Sequence, residues 1–190
     1  MVDAREKAQF SGRIRNCARQ LGQQGVAALG PLYDLTAPRL VRYAYMLTRN
    51  HADAEDAVQA AMVKIALKPR ALSAARFPWA YFLKVVRNEA LGIARRRKAI
   101  HVLSSLVEAC SGPDAAFHDA EIKQCVQSAM QKLPPAQAEV VVLKIWEDMT
   151  FIEIGEILGE SSNTAASRYR YAMAKLSHLL RRLSHEVQHV

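Results

Sequence analysis

The hydrophobic residues of this chain recur at three- and four-residue steps over most of its length, and no sustained alternation with a period of two appears. Such spacing places apolar side chains along one side of an α-helix. One series runs through Ala57, Ala61 and Ile65 and stops at Pro69. The pattern predicts an all-α protein.

The stretch FPWAYFLKVVRNEALGIARRRK, at residues 77–98, combines an apolar stripe with a basic end. Pro78 suits the first position of a helix, where its missing N–H is not needed. The apolar stripe consists of Trp79, Phe82, Leu83, Val86, Ala90 and Ile93. We therefore predict a helix that packs on its neighbours along this stripe, with Trp79 in the core, and presents cations elsewhere.

Charge is concentrated in the same helix. The 190 residues carry a formal net charge of +8, and residues 76–98 hold seven cations against the single acid Glu89. A localised cationic surface favours a polyanionic partner, of which nucleic acid is the commonest. The bulk charge alone is equally compatible with an ordinary basic protein, so the clustering carries the argument.

An acidic helix start precedes this stretch in HADAEDAVQAAMVKI, residues 51–65. We expect Asp53 to cap the helix and Glu55 and Asp56 to lie in its first turn, where carboxylates favour the helix dipole.

A less regular segment, residues 99–118, divides the chain and contains the loop-like sequence SGPD. We interpret it as a flexible linker between two small helical domains, residues 1–98 and 119–190. The two domains are expected to present separate cationic surfaces.

The second half contains the parts of a helix-turn-helix. Thr150 and Glu153 form a T-x-x-E capping box before a short helix, Phe151 to Leu158, and Gly159 suits its left-handed end. A long helix is expected from about Thr164 to beyond Leu180. Its polar positions can donate to phosphates and base edges: Ser167, Arg168, Arg170, Tyr171 and Lys175. An ordinary helical hairpin has a similar length pattern, and these donors favour the DNA-binding interpretation.

The sequence gives little support to other classes of protein, such as metalloproteins, enzymes and membrane proteins. The three cysteines, Cys17, Cys110 and Cys125, form no CxxC pair, and no Cys/His cluster has zinc spacing. We therefore expect no metal site and no cofactor. The sequence offers no nucleophile–base set, so we do not expect an enzyme. No apolar run is long enough to cross a bilayer, and we expect a cytoplasmic protein.

Both halves together resemble bacterial RNA polymerase sigma factors of the sigma-70 family, in the extracytoplasmic-function (ECF) group. HADAEDAVQAAMVKI is similar to the group's acidic DAEDLVQE segment, and residues 77–98 are similar to its W-x-x-x-I-x-R-N-x-x-x-D-x-x-R-R pattern. LPPAQAEVVVLKIWEDMTFIEIGEILGESSNTAASRYRYAMAKL, residues 133–176, is similar to the region-four pattern with G-x-S-x-x-E-I-A and T-V-K-S-R. The resemblance implies a sigma region 2 bundle followed by a sigma region 4 helix-turn-helix.

The resemblance also implies roles for individual residues. The first domain would melt and hold the −10 promoter element, with the loop from Leu72 to Arg76 forming part of a base pocket. The implied −10 contacts are Lys84, Arg87, Asn88, Arg95, Arg96 and Arg97, with Lys98 continuing the run. The implied −35 contacts are Thr164, Ser167, Arg168, Arg170, Tyr171 and Lys175.

The partners implied are core RNA polymerase, promoter DNA and an anti-sigma factor. The polymerase surface would consist of Asp53, Glu55, Asp56 and Gln59. A stand-alone helix-turn-helix regulator is the alternative, with the first half serving dimerisation or sensing.

Several positions depart from the family pattern: Ala60, Gly92, Ala138, Ala166 and Tyr171. A glycine inside a helix costs about 1 kcal/mol relative to alanine. The first thirty residues have no counterpart in the pattern, and we expect them to add a helix to the first domain.

Overall fold

The computed structural model of the chain describes residues 4–104, 126 and 128–187. Within these residues every regular element is a helix, which confirms the all-α prediction. The first domain contains α1 (Ala4–Gln24), a 3-10 turn (Gly25–Ala28), α2 (Leu29–Thr48), α3 (His51–Leu67), α4 (Pro69–Ala74) and α5 (Pro78–Ser104). The second contains α6 (Pro135–Ile145), α7 (Phe151–Leu158) and α8 (Ser162–Val187).

Helix α5 is packed along the predicted stripe at the centre of the first domain. Phe82, Leu83, Val86 and Ala90 are fully buried, and Trp79 is only 8% exposed, as predicted. The Trp79 ring meets Phe10 of α1 edge-on, with 5.2 Å between the ring centroids. The stripe therefore fixes which side of α5 remains available to a ligand.

Residues 4–30 extend the first domain with a helix, as expected. Helix α1 contacts α2, α4 and α5, and its residues Ile14, Ala18 and Leu21 are buried in the common core. This helix thus belongs to the body that carries α5.

Three local predictions in the first domain need correction. Asn50, not Asp53, caps α3, because the Asn50 side chain accepts a hydrogen bond from the backbone N–H of Asp53 at 2.9 Å. Pro69 does end the preceding helix, but it also begins the short helix α4 at a position that favours proline. Leu72 is consequently helical and fully buried, so it does not belong to a pocket-forming loop.

Residues 99–104 of the predicted linker are helical, since α5 continues to Ser104. Residues 105–118 of that prediction lie outside the described part of the chain, and the domain boundaries stay predictions.

The helix-turn-helix has the local chemistry that the sequence predicts. Thr150 and Glu153 form the capping box of α7, and Gly159 ends it with a φ of 74°. Gly155 is also required by the turn, because a Cβ there would lie 2.7 Å from the Glu160 carbonyl oxygen. Helix α8 begins at Ser162, two residues earlier than predicted.

The two domains pack against each other. Buried residues of α6 and α7, among them Val140, Leu143, Ile154 and Ile157, join the hydrophobic cluster of the first domain. A smaller cluster, which includes Ala129, Ala138, Ala172 and Leu176, belongs to the second domain itself. The two domains are therefore in contact in this arrangement, and Lys84, Asn88 and Arg95 of the first domain and Thr164, Tyr171 and Lys175 of the second remain exposed.

Candidate nucleic-acid interface

One face of α5 carries most of the predicted −10 residues. Lys84, Arg87, Asn88 and Arg95 are separated by three, four and eleven residues, which places them on the same side of a helix. Lys84, Asn88 and Arg95 are exposed. This α5 face lies beside the buried stripe and offers three cations and an amide in one row.

Arg97 projects from a different side of α5. Its Nη1 donates to Asp53 Oδ2 of α3 at 2.7 Å. The pair joins a predicted DNA contact to a predicted polymerase contact, so neither side chain is available without breaking it. Arg96 is exposed, and the side chain of Lys98 lies outside the described part of the structure.

Arg87, at the centre of the α5 face, is held by the second domain. Its Nε donates to Glu139 Oε1 at 2.7 Å and its Nη2 donates to Glu139 Oε2 at 3.3 Å, so the guanidinium grips both oxygens. Burial alone would lower the pKa of Arg87, but the hydrogen bond and charge of Glu139 outweigh it and raise that pKa. Arg87 is thus a permanent cation whose partner is a carboxylate rather than solvent.

Tyr43 completes this cluster from α2. Its hydroxyl donates to Glu139 Oε1 at 2.7 Å, and the residue is fully buried. Burial, reinforced by the Glu139 charge, raises the pKa of Tyr43 well above its ordinary value. The phenol therefore stays protonated and serves as a fixed donor to Glu139, which is itself only 5% exposed.

A second carboxylate of the second domain binds α2. Glu147 Oε2 accepts from Arg39 Nε at 3.0 Å, and Glu147 Oε1 accepts from Arg42 Nη2 at 3.1 Å. Burial raises the pKa of Glu147, although both arginines act in the opposite direction. Desolvation thus offsets much of the attraction, as is common for buried ion pairs.

Sequence reasoning missed Glu139, Glu147 and their α2 partners. Glu139 stands in the apolar run AEVVVL, residues 138–143. A single acid inside such a run is a signal of a buried carboxylate, which needs a cationic or hydrogen-bonding partner. The identity of that partner could not be read from spacing, because Arg87 is 52 residues away.

The predicted −35 residues lie near the N-terminal half of α8. Thr164, Ser167, Arg168, Tyr171 and Lys175 share one face at helical spacing, whereas Arg170 lies to the side and contacts Ser167 Oγ at 3.2 Å. Thr164, Tyr171 and Lys175 are exposed, and Arg168 pairs with Glu160 of the preceding turn. Ala165, Ala172 and Leu176 bury the adjacent side of α8.

The predicted polymerase residues occupy the start of α3. Glu55, Asp56 and Gln59 are exposed, and Glu55 lies 3.4 Å from His51 Nδ1. The exposed apolar side chains of Val63 and Leu67 lie on the same side of α3 as Asp56 and Gln59, further along the helix. Sequence reasoning missed this apolar continuation, because Val63 and Leu67 also fit a helix side that is buried against another helix.

Two family models match the chain: Sigma-70 region 2 at residues 32–100 and Sigma-70, region 4 at residues 123–176. The sigma factor CarQ of Myxococcus xanthus is 30% identical over 164 residues, which cover 84% of this chain and 93% of CarQ. The ECF sigma factor SigM of Mycobacterium tuberculosis is 30% identical over 178 residues, covering 90% of this chain and 88% of SigM. The chain belongs to the ECF group of the sigma-70 family.

Solved structures agree on the fold of this sigma factor. RpoE of Bartonella quintana, in complex with the anti-sigma factor NepR, superposes with a TM-score of 0.68 at 24% identity, covering 82% of this chain and 98% of that one. CnrH, in complex with the cytosolic domain of CnrY, gives a TM-score of 0.65 at 24% identity, covering 88% and 97%.

Family membership fixes the general role of this sigma factor. It is a transcription initiation factor that binds core RNA polymerase and directs it to promoters, and it is not an enzyme. Among the described residues no group of side chains could hold a metal ion, and no helix is long and apolar enough to cross a membrane.

Proposed function

We propose that this sigma factor, acting in the cytoplasm, reads a promoter through two helices, with α5 on the −10 element and α8 on the −35 element. The observation that carries the proposal is the presence of two polar, cation-bearing helix faces on two separate domains. Each face lies beside a buried stripe, so each helix is held rigidly while its polar side is presented.

On α5, Lys84, Arg87, Asn88 and Arg95 form the row that follows the phosphate backbone of the melted strand. Arg96, exposed beside the row, extends the positive field, and Arg97 contributes once its pair with Asp53 opens. Contacts of this kind are strongly dependent on salt and carry little sequence information.

On α8, the face of Thr164, Ser167, Arg168, Tyr171 and Lys175 enters the major groove, with Arg170 at its edge. One good bidentate contact contributes about 1–3 kcal/mol of discrimination between bases. Ala166 removes a cation that the family pattern places here, so Arg168 carries more of the recognition.

Core polymerase docks on the start of α3. Glu55, Asp56 and Gln59 supply the polar part of the surface, and the exposed Val63 and Leu67, at 58% and 76%, supply the apolar part. Tyr33 of α2 lines a shallow groove of about 290 Å³ beside Gln59. An acidic start with an apolar end fits a partner helix that is basic at one end and apolar at the other.

RpoE of Bartonella quintana is bound to the anti-sigma factor NepR, and we extend that kind of partner to this chain. Such a partner would keep the α5 and α8 faces from DNA until a signal releases it.

Co-elution with purified core RNA polymerase in size-exclusion chromatography tests the proposal. A stoichiometric complex is expected, together with weak binding of promoter duplex by the free chain. Tight duplex binding without a core complex would favour a stand-alone regulator instead.

A further inference from the structure

Helix α1 gives the first domain a basic side that the roles described so far do not use. Arg13, Arg15 and Arg19 of α1 are exposed, and none of them pairs with an acid within the described residues. By contrast, four arginines of α2 and α5 each bind a carboxylate: Arg39, Arg42, Arg87 and Arg97. The charge of the three α1 arginines is therefore available to a partner outside the chain.

Two of these arginines lie beside the contact between α1 and α4. Arg15, Arg19 and Gly22 follow one another at steps of four and three residues, so they share one side of α1. Gly22 packs closely on α4, because a Cβ there would lie 2.7 Å from Ser73 Oγ. Arg70 is exposed one turn before Ser73, and its carbonyl oxygen accepts from Ser73 Oγ at 3.0 Å. We call Arg15, Arg19 and Arg70 the α1–α4 basic surface.

No acid of either helix neutralises this surface. Residues 7–33 hold four cations and no acid, and residues 57–88 hold six cations and no acid. Helix α4, and α1 from Lys7 onward, lie in these two ranges and contact each other. Because their charges have the same sign, their potentials add, and the surface attracts a polyanion.

The side chains around these cations favour a phosphate backbone over unpaired bases. Asn16 and Gln23, three residues before and four residues after Arg19, are exposed amides on the same side of α1. Phe10, the aromatic residue of α1, is half-buried and meets Trp79 edge-on. Arginine and amide side chains bind phosphate oxygens, whereas sites for single strands depend on exposed rings that stack on bases. The chemistry therefore fits duplex DNA.

The loop after α4 connects this surface to α5. Arg76 of the loop is exposed, and it lines the same groove of about 590 Å³ as Lys84 of α5. Exposed cations thus continue from α1 through α4 and the loop to the row on α5. DNA bound along α5 can extend over α4 toward α1.

We propose that the α1–α4 basic surface is a third DNA-binding site of this sigma factor, which binds the phosphate backbone of the duplex that adjoins the −10 element. The site binds without regard to sequence, and the reading of bases stays with α5 and α8. Its position next to the −10 element rests on the proposed role of α5, whereas duplex binding by α1 does not.

Two variants test the site without disturbing the fold. Arg15→Gln and Arg19→Gln each remove one positive charge and introduce a residue that also favours helix. Neither arginine has a partner within the described residues, so neither substitution breaks a contact there. Lys132→Gln is the matched control, because Lys132 is an exposed cation before α6 and lies outside every proposed surface.

Fluorescence anisotropy measures binding of the full chain to a labelled, mixed-sequence duplex of about 30 base pairs, and to one of its single strands, at several salt concentrations. We expect each arginine variant to bind the duplex about two- to five-fold more weakly than Lys132→Gln does. The slope of log affinity against log salt should become shallower by about 1 in each variant. The loss for the single strand should be smaller, and affinity for core polymerase should stay unchanged.

Three results would overturn the proposal. They are arginine variants that bind the duplex like Lys132→Gln, a greater loss for the single strand than for the duplex, and a loss confined to core polymerase. The last result would make the enzyme, not DNA, the partner of α1. Lys84→Ala, measured on the single strand, tests the α5 row separately, so failure of the α1 site and failure of the proposed −10 role are distinguished.

Discussion

Arg97 of α5 and Asp53 of α3 are joined by a 2.7 Å ion pair across the first domain. The Arg97 side chain is 55% exposed and that of Asp53 is 19% exposed. Pairs of this exposure contribute about 0–1 kcal/mol, because water screens the attraction. The pair positions the end of α5 against α3. It also distinguishes Asp53, which has a cationic partner, from the neighbouring acids Glu55 and Asp56, which face solvent.

The polymerase surface is tested by Asp56→Ala. Asp56 is exposed at the start of α3, and its removal deletes a charge while leaving the buried stripe of α3 intact. We expect about ten-fold weaker binding to core polymerase with an unchanged melting temperature. Fluorescence anisotropy with labelled protein measures the affinity.

Glu6→Ala serves as the charge control for that experiment, since Glu6 is an exposed acid on α1. Equal affinities of the wild-type chain, Asp56→Ala and Glu6→Ala for core polymerase would contradict the assignment of α3.

Recognition by α8 is tested by Arg168→Ala. We expect a loss of about 1–3 kcal/mol in binding to the −35 element and relaxed preference at one base position. Arg168 also pairs with Glu160, so Glu160→Gln is the comparison that breaks the same pair and keeps the arginine. A similar loss in both variants, measured by competition binding of the polymerase complex, would mean that the pair, not a base contact, is responsible.

Gly92 departs from the family pattern and is predicted to be a place where stability can be gained. A Cβ at Gly92 would meet only Arg96 Nη1, at 3.7 Å, which is ordinary contact. We expect Gly92→Ala to raise the free energy of unfolding by about 0.5–1 kcal/mol through a higher helix propensity. Urea denaturation followed by circular dichroism gives the value.

Gly155→Ala is expected to change the free energy of unfolding in the opposite direction. Its Cβ would lie 2.7 Å from a backbone oxygen of the turn, which cannot move without shifting α8. A lowered free energy of unfolding is expected, and a neutral or stabilising result would show that the turn is looser than described.

Glu147 gives the protein a distinctive pH dependence. Burial raises the pKa of Glu147 above its ordinary value of 4.5, despite Arg39 and Arg42. The folded chain therefore binds this proton more tightly than the unfolded chain. As pH falls through the raised pKa toward 4.5, the contribution of Glu147 to the free energy of unfolding must increase, and it is lost as pH rises through the same window.

The difference between the wild-type protein and Glu147→Gln isolates the contribution of this carboxyl group. Chemical denaturation at several pH values should show the wild-type protein gaining stability relative to the variant as pH falls. A difference that shrinks on acidification would contradict the assigned direction.

Local chemistry made much of the fold predictable. The bounds of α7 follow from its capping box and from Gly159, and the buried side of α5 follows from its apolar spacing. The prediction that Asp53 caps α3 was wrong, because Asn50 is an equally good capping residue three positions earlier. Helix α4 was missed because Pro69 was interpreted as a stop, although proline also begins helices well.

The contact between the two domains could not be predicted from local sequence patterns. Arg87 bears the charge expected of a DNA contact, and nothing around it in sequence reveals that Glu139 binds it. Such a pairing depends on the relative placement of two bodies, which helical periodicity does not encode.

The central claim is that this chain confers promoter recognition on core RNA polymerase through its two cationic helix faces. The most direct measurement is transcription in vitro by core enzyme from a library of random upstream sequences, with and without the chain, followed by sequencing of the transcripts. We predict transcripts that depend on the chain and whose templates share two upstream elements at a constant spacing. Transcription that is independent of the chain, or templates without any shared pair of elements, would contradict the account.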